Sequence, residues 1–135
     1  MSRKAKKVIR IEEVEHTADI RLRLCVEEIQ EFYLGVVEAM RYLTGVEALS
    51  KAETVISLKL EGRLEDQIFD LGNELIFQLS RGFFPIALSK IGSELKVELG
   101  RVVQHPTVEL KALTYHELKV TAFPNGFCTY LIFDV

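Results

Sequence analysis

The chain has 135 residues, 48% of them hydrophobic, and a formal net charge of -3. This length and composition suffice for one domain with a packed core, so we expect a single unit over residues 1–135. The mild negative charge gives no general attraction to nucleic acid. No run reaches membrane-spanning length and no signal peptide is recognisable. We therefore expect a cytoplasmic protein with no membrane partner, frayed over residues 1–7.

The first half of the chain predicts three strands and one helix. Val8 to Val14 and Ile20 to Val26 favour strands, the second with a strict alternation of apolar and polar residues. Glu28 to Leu43 carries an apolar stripe at helical spacing, and Gly45 is in the position expected after a helix end. Thr54 to Glu61 alternates again and is predicted as the third strand.

The second half predicts a helix followed by four strands: Leu64–Ser80, then Ile86–Ile91, Leu95–Val103, Val108–Phe123 and Phe127–Val135. The Asn125-Gly126 pair is a strong hairpin signal, so the last two strands should pair antiparallel. Counted from that turn, Asp134 should lie opposite Glu117, next to His116. The element order predicts an α+β domain with two helices packed on a mixed or antiparallel sheet and a C-terminal β-hairpin.

Several common functional signatures are missing from the chain. Cys25 and Cys128 are too far apart for a CxxC motif and lie in apolar runs, so we predict buried free thiols. No glycine-rich phosphate loop or Ser-His-Asp order is present. No interleaving of aromatic and basic residues typical of an RNA-binding platform is visible along the sequence.

Polar residues collect in three segments. Glu15-His16-Thr17-Ala18-Asp19 separates the first two strands, and Lys111-Ala112-Leu113-Thr114-Tyr115-His116 belongs to the long strand. Phe133-Asp134-Val135 ends the chain. If the strands pair as predicted, the three segments converge on one place.

The carboxylates of Asp19, Asp134 and the terminal residue Val135 would form an oxygen-rich site. Such sites favour Ca²⁺, Mg²⁺ or Mn²⁺ over zinc. We expect a divalent ion, with Ca²⁺ first and Mg²⁺ or Mn²⁺ as alternatives. His16 or His116 would shift the preference toward a transition metal.

A structural alternative exists for these residues. The acids could cap loops and pair with Lys111 or Lys119. His116 shares the strand parity of Leu118 and Val120, which favours a core-facing histidine over a metal ligand.

The three segments resemble the signature segments of the archease family, in the same order and at fitting distances. Asn73-Glu74-Leu75 in the second predicted helix resembles a fourth. The resemblance implies an accessory protein of the RtcB-type RNA-splicing ligase, which joins tRNA exon halves using GTP and Mn²⁺. Archeases promote guanylylation of that ligase and allow it multiple turnovers. The implied partner is the ligase, tRNA is contacted only indirectly, and the chain itself is not an enzyme.

The resemblance also implies roles for individual residues. Asp19 and Asp134 match the family's metal-binding acids, and Val135 its terminal residue at the same site. Lys111 matches its functionally important lysine and would contact the partner or a phosphate, while His16 and His116 match its motif histidines.

Two departures from the family pattern are visible. Arg21 stands where the family usually has glycine, which would crowd or recharge the site, and the connection from Gly100 to Thr107 is shorter and less acidic than expected.

Two other functions remain open from the residues alone. One is a metal-dependent hydrolase that uses His16, His116 and Asp19 with a bound water. The other is a general chaperone or scaffold.

Overall fold

The computed structural model describes residues 9–14 and 19–135. Over these ranges the chain forms helices α1 (Glu31–Thr44) and α2 (Leu64–Ser80) and strands β1 (Ile9–Val14), β2 (Ile20–Val26), β3 (Glu47–Ala48), β4 (Thr54–Lys59), β5 (Phe83–Ile91), β6 (Glu94–Gln104), β7 (Ala112–Leu113), β8 (Thr121–Phe123) and β9 (Gly126–Asp134). The strands form antiparallel sheets. The predicted α+β class is confirmed. Val8 and the predicted frayed residues 1–7 lie outside the described ranges.

One sheet has five strands, in the order β1-β2-β9-β7, with β8 pairing the other part of β9. Side chains alternate between the two faces of a strand. Leu22 and Leu24 of β2 and Leu131 of β9 therefore face the core and are fully buried. Arg21 and Arg23 belong to the opposite face of β2, which we call the outer face of this sheet.

The second sheet has four strands, in the order β3-β6-β4, with β5 also pairing β6. The β5–β6 hairpin turns at Gly92-Ser93, as predicted. Strand β5 begins at Phe83 instead of Ile86 and accommodates Pro85 through a register shift against β6. Strand β3 was not predicted, because its two residues are too few to show a period.

The helices follow the predicted apolar stripes. Helix α2 has the predicted bounds, whereas α1 begins at Glu31 instead of Glu28. The Glu31 carboxylate accepts hydrogen bonds from the backbone N–H groups of Glu27 (3.1 Å) and Glu28 (2.9 Å), so these residues form a turn ahead of the helix. Gly45 ends α1 with a φ of 67°, in the left-handed region that glycine adopts readily.

One hydrophobic core joins the helices to both sheets. Helix α1 packs on β2, α2 packs on β5 and β7, and the helices contact each other. The core includes the fully buried residues Phe32, Met40, Ile68, Leu75, Phe84, Leu99 and Phe133. Neither described helix is long and apolar enough to cross a membrane.

The predicted long strand Val108–Phe123 is wrong, since only β7 and β8 are regular within it. Between them the chain makes a turn closed by a hydrogen bond from the Leu118 N–H to the Tyr115 carbonyl (3.2 Å), with Glu117 at a φ of 57°. The turn places Leu118 in the core, where it is 5% exposed. The segment thus leaves the strand while Leu118 remains in the core.

The turn between β7 and β8 changes which residues pair with the end of β9. The β8–β9 turn lies at Pro124-Asn125, one residue earlier than predicted. Asp134 pairs with Ala112 of β7, and its predicted pairing with Glu117 is wrong. Counting back from the hairpin fails because the turn after β7 adds residues to one side of the ladder only.

Cys25 and Cys128 form a disulfide, so the predicted free thiols are wrong. The two residues lie directly opposite each other on β2 and β9, with a Cα–Cα distance of 4.1 Å, and both are buried. Their separation of 103 residues along the chain hid this proximity. The pairing of β2 with β9 could not be read from the sequence.

Candidate functional site

Asp19 and Asp134 lie at the same end of the β2–β9 pair. Ile20 pairs with Phe133, Asp19 directly precedes Ile20, and Asp134 directly follows Phe133. Antiparallel register therefore brings the two acids to one sheet end, both on the outer face. Asp19 is half-buried and Asp134 is exposed.

Lys111 and Val135 belong to the same end of the sheet. The backbone N–H of Lys111 donates to the Asp134 carbonyl at 2.8 Å, and Ala112 pairs with Asp134. The Lys111 side chain is exposed, and Val135 is 44% exposed. Backbone pairing thus brings Lys111 and Asp134 to the same end of the sheet, with both residues exposed.

Asn73 of α2 holds the Lys111 segment in place. Its side-chain amide donates to the Leu113 carbonyl at 3.0 Å, and its side-chain oxygen accepts from the Leu113 N–H at 2.9 Å. The neighbouring Gly72 lets the helix approach closely, since a Cβ there would lie 2.5 Å from a Leu113 methyl carbon. The Asn73-Glu74-Leu75 segment, which resembles a fourth family signature, therefore supports the carboxylate site from helix α2.

His116 does not face the core, and that prediction is wrong. Its side chain is 71% exposed, and its Nε2 lies 3.4 Å from a carboxylate oxygen of Glu117. The strand parity that predicted burial does not apply, because the residue lies in the turn after β7. Glu117 in turn accepts a hydrogen bond from the Arg21 guanidinium at 2.5 Å.

Arg21 therefore connects the turn to the outer face of β2. Its guanidinium also lies over the Tyr130 ring, 4.2 Å from the centroid. The residue that departs from the family pattern is thus held by one carboxylate and one aromatic ring. No sequence pattern predicts the Arg21–Glu117 pair, because the pair depends on the unpredicted turn.

The chemistry of the donor set suits a hard divalent cation. Asp19 and Asp134 offer carboxylate oxygens at one sheet end, the ligand type preferred by Ca²⁺, Mg²⁺ and Mn²⁺. Among the described residues, no three His, Cys, Asp or Glu side chains lie close enough to hold a metal ion. His16 lies outside the described ranges, with the rest of the segment from Glu15 to Ala18.

These observations define a class of protein: a small α+β domain that brings two acidic residues and a lysine to one end of an antiparallel sheet. The model of the Archease protein family matches residues 11–135. The chain belongs to the archease family. A protein archease of Thermotoga maritima is 33% identical over 123 residues, which cover 90% of this chain and 96% of the relative. A protein archease of Pyrococcus abyssi is 30% identical over 131 residues, which cover 87% and 92%.

Solved structures agree with this assignment. A crystal structure of an archease from Thermotoga maritima, described as a possible chaperone, matches with a TM-score of 0.79 and 29% identity and covers 92% of this chain and 96% of that one. A solution structure of a protein from Methanobacterium thermoautotrophicum matches with a TM-score of 0.68 over 93% of this chain and 98% of that one. At 18% identity this second match supports the fold alone.

Proposed function

We propose that this protein activates an RtcB-type RNA ligase in tRNA splicing, in the cytoplasm, and is not itself a catalyst. It promotes the GTP-dependent guanylylation of the ligase and allows each ligase molecule multiple turnovers. The observation that carries the proposal is the assembly of Asp19, Lys111 and Asp134 at one exposed sheet end in a member of the archease family.

The carboxylates of Asp19, Asp134 and the terminal residue Val135 would hold a divalent cation, with Ca²⁺ expected and Mg²⁺ or Mn²⁺ as alternatives. When bound, the cation supplies positive charge that attracts phosphate or carboxylate oxygens at the interface with the ligase. His16 and His116 supply further ligands or hydrogen bonds around the site.

Lys111 acts beside the carboxylates as a contact for the ligase or for a phosphate. Its ammonium is a compact charge on a flexible stem, suited to a phosphate as a point charge. The backbone bond to Asp134 and the Asn73 clamp on Leu113 fix the base of that stem.

Activation requires that the protein bind one conformer of the ligase more tightly than another. The exposed sheet end offers charged groups of both signs on a rigid frame, so it can favour the conformer that accepts GTP. Because the preference acts on a conformational equilibrium, it returns the ligase to the GTP-accepting conformer after each round, which allows the ligase to be guanylylated again.

The test is ligation of tRNA halves by a purified RtcB-type ligase from the same source, at substoichiometric ligase, with GTP and Mn²⁺. We expect the native protein to convert a single round of ligation into many. Asp134→Ala should reduce the stimulation about tenfold or more, since a hydrogen bond to a charged group contributes roughly 1.5–3 kcal/mol. Glu94→Ala removes an exposed carboxylate from the four-stranded sheet and serves as the matched control.

Unchanged stimulation by Asp134→Ala, at equal protein concentration and with intact folding, would refute the carboxylate mechanism. A general chaperone role is the second candidate, because the Thermotoga maritima structure is described as a possible chaperone. It predicts that the protein suppresses aggregation of unrelated clients whether or not Asp134 is intact. Metal-dependent hydrolysis by the isolated protein would instead favour the hydrolase.

A further inference from the structure

A groove on the outer face of the five-stranded sheet has no part in the proposed activation. It encloses about 350 Å³, and its lining includes Arg23, Glu117, Lys119, Thr121, Phe123 and Tyr130. Arg23 lies two alternations along β2 from Asp19, and Tyr130 pairs with Arg23 across the ladder. The groove therefore lies on the same face as the carboxylates but farther along the strands.

Two aromatic rings in the groove are associated with guanidinium groups. Phe123 is 48% exposed although it lies in strand β8, and the Arg23 guanidinium is 5.8 Å from its ring centroid. Tyr130 is half-buried beneath the Arg21 guanidinium. Exposed rings with adjacent guanidinium groups are the arrangement on which unpaired bases stack.

The local charge is positive although the whole chain is negative. Arg23 and Lys119 bring two cations to the groove and Glu117 brings one carboxylate, while Arg21 lies beside it, over the Tyr130 ring. Arg21 neutralises Glu117 at 2.5 Å. Arg23 forms a long ion pair, 3.9 Å, with a carboxylate oxygen of exposed Glu12. Arg23 and Lys119 thus remain as the cations for an anionic ligand.

We propose that this groove binds an unpaired nucleotide of single-stranded RNA. The base stacks on Phe123 beside Tyr130, and the flanking phosphates contact Arg23 and Lys119. Thr121 also lines the groove, and its hydroxyl is available to hydrogen-bond a ribose 2′-hydroxyl, which favours RNA over DNA. An acidic peptide would use the cations and leave the exposed ring without a partner.

The interleaving of aromatic and basic residues was invisible in the sequence because it runs across strands. Arg21 and Arg23 lie on β2, Phe123 on β8 and Tyr130 on β9. A direct contact with RNA differs from our sequence-based expectation that tRNA is contacted only through the ligase. It does not depend on ligase activation, so the two proposals can fail separately.

The test is fluorescence polarisation of a 5′-labelled decameric oligouridylate titrated with the full chain, in the absence of ligase. Phe123→Ala should weaken binding by about five- to one-hundredfold, the range expected for loss of one base–aromatic stack. Lys119→Gln should weaken it and lower its salt dependence, since one phosphate contact is lost. Phe123→Tyr should restore affinity.

Matched controls come from the other sheet. Val55→Ala removes a side chain of similar exposure, 49%, and Lys96→Gln removes an exposed lysine, so both should bind as the native chain does. Thermal unfolding of each variant confirms that it is folded. A duplex RNA should bind weakly, because its bases are already stacked.

Four results would overturn the inference. The first is no saturable binding of the oligouridylate at millimolar protein, and the second is equal binding by folded Phe123→Ala and native chains. The third is displacement of the RNA by an equimolar acidic peptide, which would assign the groove to a protein. The fourth is equal affinity for an oligodeoxythymidylate of the same length, which would remove the assignment to RNA.

Discussion

Asn73 shows how a single half-buried amide can position a functional site to which it does not belong. It makes two hydrogen bonds to the backbone of Leu113, and its Nδ2 also donates to the Phe69 carbonyl at 3.1 Å. No other residue type offers a donor and an acceptor in this geometry at that length. The amide therefore fixes β7 to α2, and β7 carries Lys111 to Asp134.

We predict that Asn73→Ala lowers the free energy of unfolding by about 1–3 kcal/mol, because it leaves the Leu113 backbone groups without their partners. Urea denaturation followed by circular dichroism measures this loss. The same variant should also stimulate the ligase less than the native protein does, even under conditions in which the variant remains fully folded, since Lys111 loses its support. Gln104→Ala, at an exposed position on β6, is the control and should change neither quantity.

For individual residues, the sequence patterns located some functional side chains correctly and misplaced others. The alternation of β2 correctly assigned Arg21 and Arg23 to its outer face. Parity failed for His116, because it assumed that a strand continued where the chain turns. Parity arguments hold only while a strand remains regular, and the turn from Tyr115 to Leu118 interrupts this one.

The β8–β9 hairpin requires a glycine at position 126 for two separate reasons, of which the Asn-Gly sequence signal indicates only one. Gly126 has a φ of 147°, and a Cβ there would lie 2.2 Å from the Val26 carbonyl oxygen. Both the backbone conformation and the close approach of β2 require the absence of a side chain. The hairpin and its packing on β2 therefore share one constraint.

We expect Gly126→Ala to destabilise the protein more than Gly92→Ala. Gly92 also has a positive φ, 60°, but a Cβ there meets nothing within 4 Å, so its cost should be about 1–2 kcal/mol from the backbone alone. Gly126→Ala adds a steric conflict with backbone that cannot move away. Equal midpoints of urea unfolding for the two variants would show that the strands separate without cost.

Elements with a long, clean period were predictable, and short or interrupted ones were not. Helix α2 and the β5–β6 hairpin were predicted closely, because a stripe of apolar residues and a glycine turn are local signals. Strand β3 exists only through pairing with β6, and the break between β7 and β8 depends on contacts with the core. Such features are set by tertiary packing, which a single sequence does not display.

The Cys25–Cys128 disulfide connects the beginning of the chain to its end. It joins adjacent strands whose residues are 103 positions apart, so it closes most of the chain into one loop. Constraining a loop of that size in the unfolded chain contributes up to about 4–5 kcal/mol in the chain-entropy model. Most cytosolic proteins keep their thiols reduced, so the protein's stability depends on its redox surroundings.

Reduction with dithiothreitol should lower the melting temperature by about 5 °C or more, given that 1 kcal/mol shifts a domain of this size by roughly 2–8 °C. The Cys25→Ala/Cys128→Ala variant should melt near the reduced protein and show no response to the reductant. Titration of two free thiols in the unreduced, unfolded chain would contradict the disulfide.

The pairing of β2 with β9 also determines when the molecule can complete its fold during synthesis. Strands β3 to β6 and both helices are available once Gln104 has been added, so the four-stranded sheet can assemble early. Strand β2 can pair with β1 early, but its second partner, β9, is synthesised about 100 residues later, which takes roughly 5–20 s at ordinary rates of translation. Until then one of its edges is unpaired, and a nascent chain stalled before β9 should be sensitive to proteases at β2 while its four-stranded sheet resists them.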